Sequence, residues 1–188
     1  MIVGKRIQLR AIEYEDLPLM VKWRNDPEVY QYFYEHEPLS LVMQRTWFEK
    51  YLTRSDEKFW IVETRDTHEA IGTVGLLHLD WRNRKGEWGR LLIYPDQYRH
   101  GGYGSEIESL ILRYFFDHLN MNRLQGEVFL DNESVWQLHQ RFGFRQEGLF
   151  RQYIFKNGQY KDVVYIAMLY EDYLSDETQA RIRKYLDE

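Results

Sequence analysis

Cysteine is absent from this 188-residue chain. That removes a thiol nucleophile, a cysteine-built zinc site and a disulfide framework at once. Long apolar runs are missing too. No stretch approaches the roughly 20 residues of a membrane-spanning helix, and Met1-Ile2-Val3-Gly4-Lys5-Arg6 runs into a strand without the apolar core of a secretion signal. The expectation is a cytoplasmic protein with no membrane partner. Nor is there an excess of positive charge: 25 Lys and Arg against 30 Asp and Glu leave a net charge of -5, which argues against general nucleic-acid binding and suits cationic ligands. His36, His68, His78, His100 and His118 show no paired-ligand spacing, so no metal is expected. There is no low-complexity linker and no internal repeat. What is plentiful is aromatic: 15 Tyr, 10 Phe and 6 Trp predict an aromatic-lined core and clefts in a single domain large enough to fold unaided.

The chain alternates strand and helix patterns. Arg6 to Ile12 reads as a strand, followed by a helix with Leu17, Met20 and Val21 inward that stops before Pro27. Ser40 is placed to cap a second helix carrying Leu41, Arg45, Phe48 and Leu52 on one stripe. Phe59 to Thr64, Ala70 to Leu79 and Gly86 to Tyr94 read as three successive strands. Ile107, Leu110, Ile111 and Tyr114 mark an amphipathic helix, and Leu124 to Leu130 a further strand. Asn157-Gly158, between Tyr153-Ile154-Phe155 and Val163-Val164-Tyr165, is a two-residue hairpin signal. Ser175 to Leu186 reads as a surface helix. Residues 1–174 are thus expected to form one α/β (α+β) domain, a mixed, mostly antiparallel sheet of about seven strands flanked by helices, with residues 175–188 as a helical tail.

The richest signal lies between Leu91-Leu92-Ile93-Tyr94-Pro95 and the helix of Ile107. There Gln97-Tyr98-Arg99-His100-Gly101-Gly102-Tyr103-Gly104 sets three glycines at a strand-to-helix junction. Bare backbone N–H groups and the positive end of a helix dipole make such a junction a phosphate site. A P-loop needs a lysine directly after its last glycine, and Ser105-Glu106 stands there instead. The spacing and mid-chain position also differ from a dinucleotide fingerprint. The alternative is a tight turn with no ligand.

The pattern Arg99-x-x-Gly102-x-Gly104 resembles the pyrophosphate-binding motif of the GNAT superfamily of acetyl-CoA-dependent N-acetyltransferases. Asn132-Glu133-Ser134-Val135-Trp136-Gln137-Leu138-His139-Gln140-Arg141-Phe142-Gly143-Phe144 is similar to the family's next block, an asparagine-led helix ending in Gly-Phe. Glu147 to Arg151 and Asn157 to Asp162 look like the closing hairpin of the bacterial branch that holds spermidine and ribosomal-protein N-acetyltransferases. The likeness covers roughly residues 5 to 172. It implies acetyl-CoA as the acyl donor, with coenzyme A as product and no metal. By the same resemblance the pyrophosphate is held by Arg99, His100, Gly101, Gly102, Tyr103, Gly104 and Ser105. The backbone of Leu91, Leu92 and Ile93 pairs with the pantetheine arm, and Asn132, first a helix N-cap, also touches it.

Acetyl transfer to an amine needs a deprotonated nucleophile, because a free alkyl amine has a pKa near ~10. Glu87 is the first candidate base. Period-two counting sets Glu87, Gly89, Leu91 and Ile93 on one strand face; the alternative is a solvated carboxylate beside Lys85. Tyr32, Glu35 and Glu37 form a candidate acceptor loop, where aromatic faces and carboxylates suit a cation; the alternative is an ordinary acidic surface loop. His139 stands where the family has a tyrosine that protonates the leaving thiolate. Val135, Leu138, His139 and Phe142 share one helix face, so His139 points inward as acid or as a core histidine. Tyr153 and Tyr165 are alternative hydroxyl donors. The predicted activity is direct acetyl transfer, in a ternary complex, to a small amine or polyamine, an amino sugar or a protein N-terminus. The alternative is a silent acyl-CoA-sensing module, and a homodimer is one candidate assembly.

Overall fold

Residues 58–93 run through three strands joined by short turns, and they form the middle of the sheet in the computed structural model, which describes residues 1–186. Eight strands are present: β1 (Ile2–Val3), β2 (Ile7–Arg10), β3 (Lys58–Thr64), β4 (Ala70–Asp80), β5 (Lys85–Ile93), β6 (Arg123–Phe129), β7 (Arg145–Lys156) and β8 (Gln159–Leu169). They follow the order β1-β2-β3-β4-β5-β6-β8-β7, antiparallel throughout except for β5 beside β6. The expected mixed sheet is therefore present with one strand more than anticipated. The addition is β1, two residues paired to β2, too short for periodicity to mark. Asn157 and Gly158 both adopt positive φ, 51° and 78°, the backbone that a two-residue hairpin turn requires.

Helices cover both faces. On one lie α1 (Leu17–Arg24), α2 (Pro27–Tyr30) and α3 (Leu41–Tyr51). Phe59 and Ile61 of β3 pack there with Leu17, Met20 and Phe48. On the other lie α4 (Tyr103–Arg113), α5 (Glu133–Arg141) and α7 (Asp176–Leu186), and α6 (Tyr170–Tyr173) leads into α7. Val62, one residue on from Ile61, joins Ile107, Leu110, Ile111, Leu138 and Ile182 in that main core. The alternation along β3 thus divides the two layers, as period two requires.

Several helix details differ from the sequence reading. Trp23 is inside α1 where Val21 is half-buried. In α3 the buried pair is Gln44 and Phe48, and Leu52 at the C-terminal end is exposed. Ser40 does cap α3, accepting from the Met43 N–H at 3.2 Å. α7 turns Thr178 and Ile182 into the protein. The last two positions of the expected 175–188 tail lie outside the described residues.

Candidate active site

The site begins where the sheet parts. Pairing between β5 and β6 runs from Lys85–Arg123 to Glu87–Gln125 and then stops. At the same place β5 bulges: Arg90 takes φ 57°, the register with β4 shifts between Thr73 and Gly75, and the Thr73 hydroxyl donates to the Arg90 carbonyl at 3.0 Å. A bulge adds one residue and exchanges the faces beyond it. Trp88 packs into the α4-side core, and so do Leu91 and Ile93, whereas Leu92 joins Trp23 and Val29 on the opposite face. The expectation that Glu87, Gly89, Leu91 and Ile93 share a face is corrected by this: a period-two count cannot pass a bulge.

Two cavities occupy the gap. The first, about 400 Å³, is bounded by Leu91, Leu92, Ile93, Arg99, Gly102, Gly104, Ser105 and Asn132, with Ser134, Leu138 and Arg141 of α5 across from them. Gly101 and Gly102 both have positive φ, 85° and 88°, which a side chain would strain. The first intrahelical bond of α4 runs from the Glu106 N–H to the Gly102 carbonyl, so the N–H groups of Tyr103, Gly104 and Ser105 have no partner within the helix. Arg6 braces the loop from behind. It donates to the Gly101 carbonyl (2.8 Å) and to Glu106 (3.0 Å), and its guanidinium lies 4.3 Å from the Tyr103 ring centre. Buried Glu106 also accepts from the backbone of Arg6 and Ile7. Hence Tyr103, Gly101 and His100 belong to the loop without lining the cavity. Asn132 stands at the N-cap position of α5 and borders both cavities, but its side chain makes no capping bond; its Oδ1 accepts from the Ser134 hydroxyl at 3.5 Å.

The second cavity, about 450 Å³, shares Tyr32, Phe33, Leu91, Asn132 and Val135 with the first and contains Glu87, Glu127, Tyr34, His78, His139 and Tyr153. Glu127 on β6 was not singled out by the sequence. Its only local sign is the alternation of β6, in which Leu124, Gly126 and Val128 are buried while Gln125 and Glu127 turn the other way. The Tyr34 hydroxyl donates to Glu127 at 3.1 Å. Burial above all, and then the charge of Glu87, pushes the Glu127 carboxyl above the ordinary glutamate range, against the opposing pull of that hydrogen bond. Tyr34 is itself pushed far up by burial and by Glu127, so it stays a donor. Glu87 lies 2.9 Å from His78 Nδ1.

His139 is almost fully buried, between Trp88 and Phe144, with Nδ1 3.0 Å from Glu108 Oε1. Glu108 is fully buried, and its second oxygen has no hydrogen-bond partner among the described residues. Of the alternative hydroxyls, Tyr153 borders the cavity. Tyr165 lies on β8, paired with Glu127 of β6 and against the Phe150 ring.

The connection between α2 and α3 borders the second cavity, and Glu35 and the backbone beside it are held by the protein's own cations. Glu35 Oε1 receives Arg24 at 2.7 Å and Arg90 at 2.5 Å. Burial would raise that carboxyl, but the two guanidinium charges hold it down at about 2. Lys156, buried at the end of β7, donates to the carbonyls of Phe33 and Glu35. Tyr32 borders both cavities, while Glu37 lies in a third, about 330 Å³, with His36, Asn25 and Met43. Among the described residues no acidic, histidine or cysteine cluster is arranged to hold a metal, and no helix is long and apolar enough to cross a membrane.

Comparison with known proteins adds to this geometry. Residues 6–145 match the family model described as an acetyltransferase (GNAT) domain. The chain is 33% identical over 156 residues to the uncharacterised N-acetyltransferase YoaA of Bacillus subtilis, covering 81% of this chain and 87% of that one. It is 26% identical to a spermidine N(1)-acetyltransferase of Escherichia coli, over 90% of this chain and 89% of that one. Among solved structures, a Vibrio cholerae spermidine N-acetyltransferase in complex with CoA and spermine superposes with a TM-score of 0.84 at 27% identity, over 90% of this chain and 99% of that chain.

Proposed function

The chain belongs to the GNAT acetyltransferase family, and from that premise we propose that it moves the acetyl group of acetyl-CoA to a primary amine by direct attack in a ternary complex. One observation carries the reading. A cavity walled by bare helix N–H groups and a cavity lined by three carboxylates, Glu35, Glu87 and Glu127, meet at Leu91, Asn132 and Val135. The residues present fit the donor. Gly104 and Ser105 offer N–H groups to a pyrophosphate, Arg99 adds a charge, and β5 beyond Glu87 has a backbone edge without a strand partner. When bound, acetyl-CoA supplies a thioester whose carbonyl the β5 backbone is placed to polarise, a contact of the kind that contributes a few kcal/mol to lowering a barrier.

The amine enters at the carboxylate end. Glu127 accepts its first proton, since a carboxylate raised by burial is a stronger base than a free glutamate. Glu87, with His78 beside it, adds the negative field that draws the ammonium in. The nitrogen then bonds the acetyl carbon and the carbon–sulfur bond breaks. The thiolate, with a pKa near ~8.5, is a fair leaving group, and the nitrogen's second proton reaches it. His139, fixed by Glu108 in the cavity wall, is the group proposed to carry that proton.

Initial rates of thiol release, with acetyl-CoA and amine both varied, test this. Intersecting reciprocal plots are expected for a ternary complex; parallel ones would mean an acetyl-enzyme intermediate instead. Absence of amine-dependent release would overturn the activity.

A further inference from the structure

Three cations converge on one short segment beside the acceptor cavity, two on the Glu35 carboxylate and one on the backbone carbonyls of Phe33 and Glu35. Arg24 comes from the end of α1, Arg90 from the bulge of β5 and Lys156 from the end of β7. They meet the segment Phe33–Glu35, where only Glu35 is negative. Both guanidinium groups share its Oε1, while Oε2 is buried with no partner among the described residues. Arg24 covers the Phe33 ring at 4.7 Å and Lys156 the Tyr30 ring at 4.0 Å. Two aromatic faces and one carboxylate of this loop are thus already held from within, whereas Tyr32 and Glu37 are exposed.

The surplus charge is not well hydrated. Lys156 is almost wholly buried, Arg24 is largely so, and Arg90 is half-buried in the cavity wall. Burial lowers both Lys156 and Arg24, and in Arg24 the neighbouring Arg90 charge adds to it. Partly desolvated cations in excess of their counter-charges favour an anion. A second ammonium brought here would meet like charges at short range and be repelled. Arg90 lines the same cavity as Glu87 and Glu127, so the site is bipolar: acidic where an amine would react, basic at Arg90 under the loop.

We propose that the acceptor is a primary amine carrying a carboxylate or similar anionic group, its amine toward Glu87 and Glu127 and its anion read by Arg90, with Arg24 and Lys156 behind the loop adding positive field. This rests on the acetyl-transfer reading above and sets it apart from transfer to a polycationic amine. Glu37 and His36 lie in the neighbouring cavity, which Arg24 also lines, and Glu37 is exposed; among the described residues Glu35 is the one carboxylate paired with Arg90. A bidentate guanidinium–carboxylate contact has the geometry such a ligand would use.

The test uses two sets of amines matched in length and differing at the far end: ε-aminocaproate, hexylamine and hexamethylenediamine, then β-alanine, propylamine and diaminopropane. For the wild-type protein kcat/KM is expected to follow carboxylate, then alkyl, then diamine, with the carboxylate ahead of the alkyl amine by about tenfold in at least one set. Arg90→Gln should erase that advantage and Arg90→Lys should restore part of it. Diamines turning over best, or a carboxylate preference untouched by Arg90→Gln, would overturn the inference while leaving acetyl transfer standing. Thiol release with none of the six amines would overturn both. The wild-type ranking needs no variant, so a folding defect in Arg90→Gln cannot blur the answer.

Discussion

The two halves of the cleft are built from different parts of the polypeptide. Around Gly102 the cavity is met by backbone N–H groups at a helix end, and side chains such as Arg6 and Glu106 serve from behind, holding the loop in shape. Around Glu127 the cavity is met by side chains drawn from β4, β5, β6, β7 and the loop after α2. A backbone site asks little of residue identity beyond glycine where φ is positive. A side-chain site has as many variables as it has walls. The difference explains how one half can hold a common donor while the other is adapted to a particular acceptor.

Substitutions can break or sharpen that contrast. The largest effect is expected at the boundary between the halves, in the buried pair of His139 and Glu108. His139→Ala would leave the Glu108 carboxylate buried with neither oxygen partnered, at a cost of about 3 kcal/mol or more. Thermal unfolding should show Tm lower by roughly 6–12 °C for a domain of this size. His139→Gln, which keeps a donor, should recover much of that stability. If it also keeps full turnover, His139 is structural and carries no proton.

Next in size is Glu127→Gln, which removes the base and keeps the shape. Turnover should fall by about a hundredfold or more, with the KM for acetyl-CoA little changed; a normal kcat would return the base role to Glu87. The smallest effect is a displacement of the pH profile. Glu127 must be ionised to accept a proton, so the rate is lost as pH falls through its raised pKa, and the acid limb lies above the ordinary glutamate range. Glu87 contributes to that elevation by like charge. Glu87→Gln should therefore move the acid limb to lower pH, whereas an unmoved limb would separate the two carboxylates.

The contrast also explains what the sequence could tell. The backbone half was legible because its parts are contiguous: the strand before the loop, the glycines at positive φ and the amphipathic α4 occupy one stretch of about 25 residues. Asn157-Gly158 announced its hairpin for the same reason. The acceptor half was not legible, because its meaning arises between distant segments. Glu127 looks like any outward residue of β6 until β5 stops pairing with it. Glu35 reads as a cation receptor until Arg24 and Arg90 are placed on it. The bulge at Arg90 leaves no mark in the hydrophobic pattern, yet it decides which side of β5 faces the gap.

The division of labour itself is tested most directly by titrating acetyl-CoA calorimetrically into wild type, Gly104→Val and Glu127→Gln. A Cβ at Gly104 comes to ordinary contact with Leu138 and Ile93, and the two methyl groups of a valine would extend from there at the wall of the first cavity. The expected result is that Gly104→Val loses coenzyme binding, while Glu127→Gln binds like wild type and turns over about a hundredfold more slowly. If Gly104→Val binds normally, or Glu127→Gln loses the coenzyme, the two halves do not divide the work in this way.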